Sequence, residues 1–233
     1  MPIQTVFLDA GGVLVNPNWS RVSETLARYG VQVGAAALAA AEPAAKKRID
    51  TGETIKATND RQRGWTYFNL VLTEAGIALS DATAAALAEL HVYHEQFNLW
   101  ESVPEEVMPS LAALRAAGFK LVVVSNANGA LHRAFDRLGL TTAVDVIVDS
   151  FLEGVEKPDP RFFRIALERS GSRAETTMHV GDLYHVDVAG ARAAEITPAL
   201  LDVAGLYPEC DCLRVRSLGE LVNVLVASPA RPR

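Results

Sequence analysis

Cysteine is almost missing from this chain, and the two that occur, Cys210 and Cys212, are separated by a single residue. The C-x-C pair reads as one side of a short strand, where alternate residues face the same way. It is not read as a metal site, because zinc normally takes four ligands and no further Cys or His lies nearby. Long hydrophobic runs are absent too. None approaches the roughly 18 residues a membrane span requires, and the N-terminus lacks a charged segment followed by a secretory apolar core. These absences exclude a membrane partner and place the protein in the cytoplasm. An excess of basic charge is also lacking: 22 Lys and Arg against 28 Asp and Glu leave a formal charge of -6, which gives no footprint for nucleic acid. What remains is 49% hydrophobic and 21% charged residues over 233 positions, the composition of a chain that buries a full core and folds on its own.

The stretch I-Q-T-V-F-L-D-A-G-G-V-L-V, residues 3 to 15, organises the rest. Val6, Phe7 and Leu8 favour β structure and are too few for a helix, so they read as a strand buried on both faces. Asp9 stands where that strand ends. Ligands of open α/β sheets bind beyond the carboxyl ends of strands, so a carboxylate there faces a site. Gly11 and Gly12 let the backbone turn sharply and come close to a ligand. Taken alone, the stretch fits an ordinary strand-to-loop turn with a solvated aspartate equally well.

From residue 16 to about residue 100 the pattern is helical. Ser20 is the expected N-cap of a helix ending near Tyr29 and Gly30. Residues 35 to 49 are alanine-rich and expected to break or kink at Pro43. Trp65, Phe68, Leu72 and Ala75 share helical spacing within 59 to 75, a stripe read as packing between helices. Ser80 or Asp81 caps a third helix that runs to about Asn98. After Pro104 helices and strands alternate, with strands at 119–125, 144–148, at the segment ending in Asp182, and at 198–202. Asp159 and Pro160 make a good start for a helix over 160–170. A last helix covers about 217–227, and the tail from Ser228 looks frayed. Strands separated by helices imply right-handed crossovers and a parallel, doubly wound α/β sheet.

This order brings Asp9, Ser125, Lys157 and Asp182 to one edge of the sheet, with Asp187 at the start of the helix that follows. Carboxylates clustered in this way suit a hard cation such as Mg²⁺.

With these residues in place, the chain resembles the haloacid dehalogenase superfamily of hydrolases, mostly phosphatases, over nearly its whole length. Asp9 matches the family's aspartate nucleophile, Ser125 in V-V-V-S-N its second motif, Lys157 in K-P-D-P its third, and Asp182 with Asp187 in G-D-L-Y-H-V-D its fourth. The resemblance implies a Rossmann-like core from 1–15 and 101–233 with an inserted all-helical C1 cap over 16–100. It implies a small phosphorylated substrate and an aspartyl-phosphate on Asp9. Mg²⁺ would be held by Asp9, the Gly11 carbonyl and Asp182, with Asp187 behind them. Ser125 and Lys157 would act on the phosphoryl group, with Gly12, Asn126 and His185 as the substrate-binding positions. One departure matters. Phosphatases of this family usually carry a second aspartate two residues after the nucleophile, as general acid and base, and this chain has Gly11 there.

Gly11 keeps a second reading open, a carbon-centre hydrolase of the 2-haloacid dehalogenase or phosphonoacetaldehyde hydrolase kind. Dehalogenases typically lack the G-D that is present here as Gly181 and Asp182. The phosphonate enzymes need a cap lysine for a Schiff base, and Lys46, Lys47 and Lys56 stand in polar surroundings. A non-enzymatic binding protein on the same fold is a third reading, set against the retained nucleophile, lysine and metal carboxylates. Among the histidines, His179 reads as a packed core residue and His91 with His94 as a solvated helix face. His185 lies in the fourth motif, and an imidazole there suits a proton shuttle. Monomer and homodimer remain equally open.

Overall fold

Thr5–Leu8 (β1) is buried at every position, as a run of Val, Phe and Leu between flanking strands has to be. The computed structural model describes residues 2–227, so the tail from Ser228 lies outside them. The further strands are Asn16–Pro17 (β2), Trp100–Ser102 (β3), Lys120–Ser125 (β4), Val146–Asp149 (β5), Thr177–Gly181 (β6), Thr197–Leu201 (β7) and Leu213–Val215 (β8). Six of them form one sheet in the order β5-β4-β1-β6-β7-β8, and β2 pairs only with β3. Every pairing in the large sheet is parallel. Parallel neighbours need crossovers, and the helices Val107–Ala116, Leu131–Leu138, Pro160–Ser170 and Ala189–Ala193 lie on those between β1 and β7, while Leu218–Ala227 follows the last strand. The fold class is therefore α/β, with a doubly wound Rossmann-like sheet.

The strand order reverses at β1, which puts the topological switch point at the carboxyl end of that strand. Register then decides what stands there. Leu8 pairs with Val123 on one side and Val180 on the other. Asp9 is thus level with Val124 and Gly181, and Ser125 and Asp182 project one residue beyond. Beneath this rim Phe7 packs with Val122, Val124, Phe162, Phe163 and Ala191, which anchors the strand ends in a dense core.

The chain folds as two compact units, one formed by the stretches up to Asn16 and from Val103 onward, the other by Pro17–Ser102. The second is built on the helices Trp19–Arg28, Ala35–Ile49, Gly52–Ala57, Asp60–Glu74 and Asp81–Phe97. Its core joins Trp19, Leu26, Leu38, Phe68, Val71, Leu72 and Leu90. Trp65 stacks on Phe68 at 5.5 Å and takes His91 edge-on at 4.6 Å, so the aromatic stripe is packing. No helix among the described residues is long and apolar enough to cross a membrane.

Several local expectations are corrected. Asn18, not Ser20, caps the first helix, its side chain accepting the Arg21 N–H. Ala35–Ile49 runs unbroken through Pro43, since burial of Leu38, Ala41, Ala45 and Ile49 on one face offsets the hydrogen bond that proline removes. Between the strand expected at 144–148 and the helix expected over 160–170 lies a further short helix, Ser150–Glu153. Cys210 and Cys212 lie in the turn before β8 rather than in a strand, with their sulfurs 3.2 Å apart.

Within the second unit, Glu42 is buried and accepts hydrogen bonds from Trp19 Nε1 at 3.1 Å and Tyr67 Oη at 2.7 Å, with Lys46 Nζ at 2.8 Å. Burial alone would raise the pKa of this carboxyl, but Lys46 and the two donors outweigh it and hold the value below that of an ordinary glutamate. A depressed folded value stabilises the fold above the unfolded pKa, and the contribution is lost as pH falls through the folded one. Glu42→Gln keeps the shape and removes the charge. We expect it to cost about 1–3 kcal/mol at pH 7, below the usual range for a broken buried pair because Lys46 is partly exposed. In urea denaturation the gap between the two proteins should narrow as pH falls below the ordinary glutamate value, because the contribution of the depressed carboxyl is lost there.

Candidate active site

Asp9 leaves β1 with its N–H donated to the Val180 carbonyl at 2.9 Å, which pins it to the neighbouring strand. Its Oδ1 accepts the Ala10 N–H at 2.7 Å and lies 2.9 Å from Lys157 Nζ. The turn that follows closes by Gly12 N–H to the Val15 carbonyl at 2.8 Å, with Gly12 at a φ of 77° that disfavours any side chain. Gly11 is not among the residues with positive φ, so its backbone accommodates an L side chain.

Ser125 ends β4 almost fully buried, its Oγ donating a long 3.3 Å bond to the Asn126 carbonyl. Asn126, expected to reach a substrate oxygen, is committed elsewhere. Its Oδ1 accepts the Lys157 N–H at 2.7 Å and its Nδ2 donates to the Lys157 carbonyl at 3.0 Å, so the amide clasps the lysine's main chain as a neighbouring strand would. Asp149, a residue sequence reasoning passed over, holds the same loop by accepting the N–H groups of Gly129, Leu131 and Phe151. Only its place at the end of β5 could have pointed to it.

Lys157 has no exposure, and its ammonium bridges Asp9 Oδ1 at 2.9 Å and Asp187 Oδ1 at 2.8 Å. Asp187 is equally buried. Its Oδ1 also meets His179 Nε2 at 2.9 Å, and its Oδ2 accepts the Leu183 N–H at 3.0 Å. The carboxylate reaches this position by passing against Gly181, where an added Cβ would fall 2.0 Å from Asp187 Cγ. The glycine of the G-D pair is therefore a matter of space, not of backbone angle.

The electrostatics follow from this crowding. Burial alone would lower the lysine pKa, but Asp187 and Asp9 together raise it above the ordinary value. Burial opposes ionisation of Asp187 as well, yet Lys157 and His179 hold it well below the carboxylate range. For Asp9 burial prevails over the attraction of Lys157, aided by repulsion from Asp187, and its pKa is raised. Burial lowers the pKa of His179 against the pull of Asp187.

Asp9, Asp182 and Asp187 each place a carboxylate oxygen within 4.8 Å of the others. Three carboxylates against one ammonium leave an excess of negative charge, and hard oxygen donors of this kind fit Mg²⁺. Asp187 already receives donors on both oxygens, so Asp9 and Asp182 are the side chains better able to ligate directly. His185 sits on the turn Tyr184–Val188 with its ring edge-on to Tyr184 at 5.2 Å. His94, in the other unit, accepts the Leu99 N–H on Nδ1, and burial lowers its pKa. The acidic trio is the one cluster with metal-ligand spacing among the described residues.

A family model described as haloacid dehalogenase-like hydrolase matches residues 3–195. Haloacid dehalogenase-like hydrolase domain-containing protein 3 of Bos taurus is 33% identical over 135 residues, 58% of this chain and 53% of that protein. Ribulose-1,5-bisphosphate 5-phosphatase of Halopiger xanaduensis is 33% identical over 156 residues, 66% of this chain and 62% of that one. The chain thus spans about half to three fifths of the length of these curated relatives. Among solved structures, a magnesium-bound HAD-hydrolase of Bacillus subtilis superposes with a TM-score of 0.68 at 18% identity, covering 97% of this chain and 99% of that one. A 2-haloacid dehalogenase of Pseudomonas syringae gives 0.58 at 25% identity, covering 97% and 99%.

Proposed function

The chain belongs to the haloacid dehalogenase-like hydrolases, and on that premise we propose that it is a Mg²⁺-dependent phosphatase of a small phosphorylated metabolite, acting through an aspartyl-phosphate on Asp9. The observation that carries this reading is the buried ammonium of Lys157 held between Asp9 and Asp187, with Asp182 alongside. Relatives named for phosphatase action on ribulose-1,5-bisphosphate and on glyceraldehyde 3-phosphate support a small phosphorylated substrate. The helical unit is read as the cap that selects it.

The proposed chemistry follows from the geometry. Two donors fix Asp9 Oδ1, which leaves Oδ2 to attack phosphorus and split one hard displacement into two easier ones. Ser125 and Lys157 supply a hydrogen bond and a positive charge to the phosphoryl oxygens. Asp9, Asp182 and the Gly11 carbonyl are the groups that would hold Mg²⁺, which when bound offsets the repulsion between two anions. Water then releases phosphate from Asp9.

Gly11 contributes no proton, so the leaving group has to depart without the family's usual acid. A positioned general acid is worth about 10² to 10⁴ in rate, felt most with poor leaving groups. We therefore expect kcat/KM for aryl and acyl phosphates to exceed that for alkyl phosphates by about 10² or more. Gly11→Asp, which the backbone allows, should narrow the gap. The same panel run with EDTA tests the metal, since phosphate release should stop and return on adding Mg²⁺. Gly11 also fits carbon-centre hydrolysis by Asp9. Halide release from a 2-haloacid, undiminished in EDTA, would replace the phosphatase reading with that one. A Schiff-base route through Lys46 is disfavoured by its ion pair with buried Glu42, which favours the ammonium over the free amine.

A further inference from the structure

One titratable side chain inside the sheet has no part in the chemistry just described. His179 stands in β6 beside Phe7 of β1, with no exposure to solvent. The ring of Phe163 lies edge-on to it at 4.9 Å. Its Nε2 is 2.9 Å from Asp187 Oδ1, and since a carboxylate only accepts, the imidazole proton sits on Nε2. Nδ1 is then a bare lone pair, buried without a hydrogen-bond partner. As packing alone this is a poor choice, because Phe or Leu would fill the space without hiding an unanswered acceptor. A local rule broken in this way is characteristic of a functional position.

The compensation is found at Asp187. Its carboxylate lies buried against Gly181 in the space a Cβ would fill, and hydrogen bonds hold both of its oxygens there. Oδ2 is held by the Leu183 N–H, and Oδ1 by Lys157 Nζ and His179 Nε2. We propose that His179 is a positioning residue, whose Nε2–H fixes the Asp187 carboxylate and thereby sets where Lys157 stands against Asp9. Without that donor Oδ1 is held by Lys157 alone and Oδ2 by the Leu183 N–H, so the carboxylate is fixed by two bonds instead of three and positions the ammonium less tightly. Partners of this kind behind a reacting group are typically worth about 10- to 100-fold in activity.

The inference rests on the phosphatase reading, and its test separates the two. His179→Phe and His179→Gln are compared with the wild type on an aryl phosphate at saturating Mg²⁺. The phenylalanine variant should lose about 10- to 100-fold in kcat with KM within about twofold. Glutamine, whose amide nitrogen takes the place of Nε2, should recover most of kcat. Should the phenylalanine variant not fold, His179→Leu serves the same comparison. Independently of turnover, the ¹³Cγ resonance of Asp187 should move in the apolar variant and return toward the wild-type position in the glutamine variant. An apolar variant with wild-type kcat, equal losses in both variants, or an Asp187 resonance unmoved by the apolar change would overturn the inference. A wild type that releases phosphate from no substrate sinks the phosphatase reading, and the Asp187 resonance still decides the role of His179.

Discussion

Asp9→Asn should abolish turnover, by more than about 10⁴-fold, while the protein melts within a few degrees of the wild type. The amide is nearly isosteric with the carboxylate. Its oxygen can still accept the Ala10 N–H and the Lys157 ammonium that Oδ1 accepts now, and Lys157 keeps Asp187 as its counter-ion. What disappears is the second oxygen, replaced by an amide nitrogen whose lone pair is delocalised and cannot attack phosphorus or carbon. The result therefore tests the nucleophile under both the phosphatase and the dehalogenase readings. Phosphate release at the wild-type rate from a folded Asp9→Asn protein would remove Asp9 from the chemistry altogether.

Lys157→Met should damage stability and activity together. The side chain is 1% exposed and its ammonium sits between two carboxylates, so its loss leaves Asp9 and Asp187 facing each other without the charge that holds them. Removing one partner of a buried pair costs about 3–5 kcal/mol at neutral pH, and turnover should fall by at least about 10³ because the phosphoryl charge loses its fixed counter-ion. The pH dependence has a definite sign. Asp187 is depressed in the folded wild type, so its contribution is present above the ordinary aspartate value and fades as acid protonates it. Lys157 is raised, so its contribution is full below the ordinary lysine value and fades only in strong alkali. The difference between wild type and Lys157→Met should thus be largest from about pH 5 to 9 and close on acidification below about pH 4. Denaturant titrations at three pH values measure it. A constant difference across that range would mean that the ion pairs are not what holds the lysine.

The substitutions at Asp9, Lys157 and His179 act on one connected group of side chains. Their effects are not expected to add, because Asp9, Lys157, Asp187 and His179 share one hydrogen-bond chain.

Much of this architecture is local in origin. Val6 to Leu8 and Leu121 to Val124 are short, apolar runs of β-favouring residues, and Thr177 to Val180 before Gly181 carries two β-branched residues, which suits all three to strands where the chain lets them pair. An acid or hydroxyl written directly after such a run falls at a strand end, and parallel pairing carries Asp9, Ser125 and Asp182 to the same rim. The absence of an acid at residue 11 is likewise a property of the sequence, independent of any contact. Less was legible where the signal is weak. β8 is a three-residue edge strand of mixed burial, and nothing in Leu213–Val215 distinguishes it from a turn. Pro43 predicts a break by itself, and only the face buried by Leu38, Ala41, Ala45 and Ile49 keeps its helix whole.

The tertiary structure alone decided how the polar groups are used. Asn126 and Lys157 are 31 residues apart, and no pattern along the chain says that an amide beside a strand end will close on a lysine's main chain instead of on a ligand. Asp187 has the residue type of a metal ligand, but Lys157, His179 and Leu183 take up its oxygens. His179 reads as core because it is core, and its role depends on a carboxylate brought beneath Gly181 by the turn Tyr184–Val188. Hydrophobic periodicity records which side of an element is buried, a property each residue carries with it. A hydrogen bond exists only between two groups at one distance and angle, and that is settled when separate parts of the chain have packed.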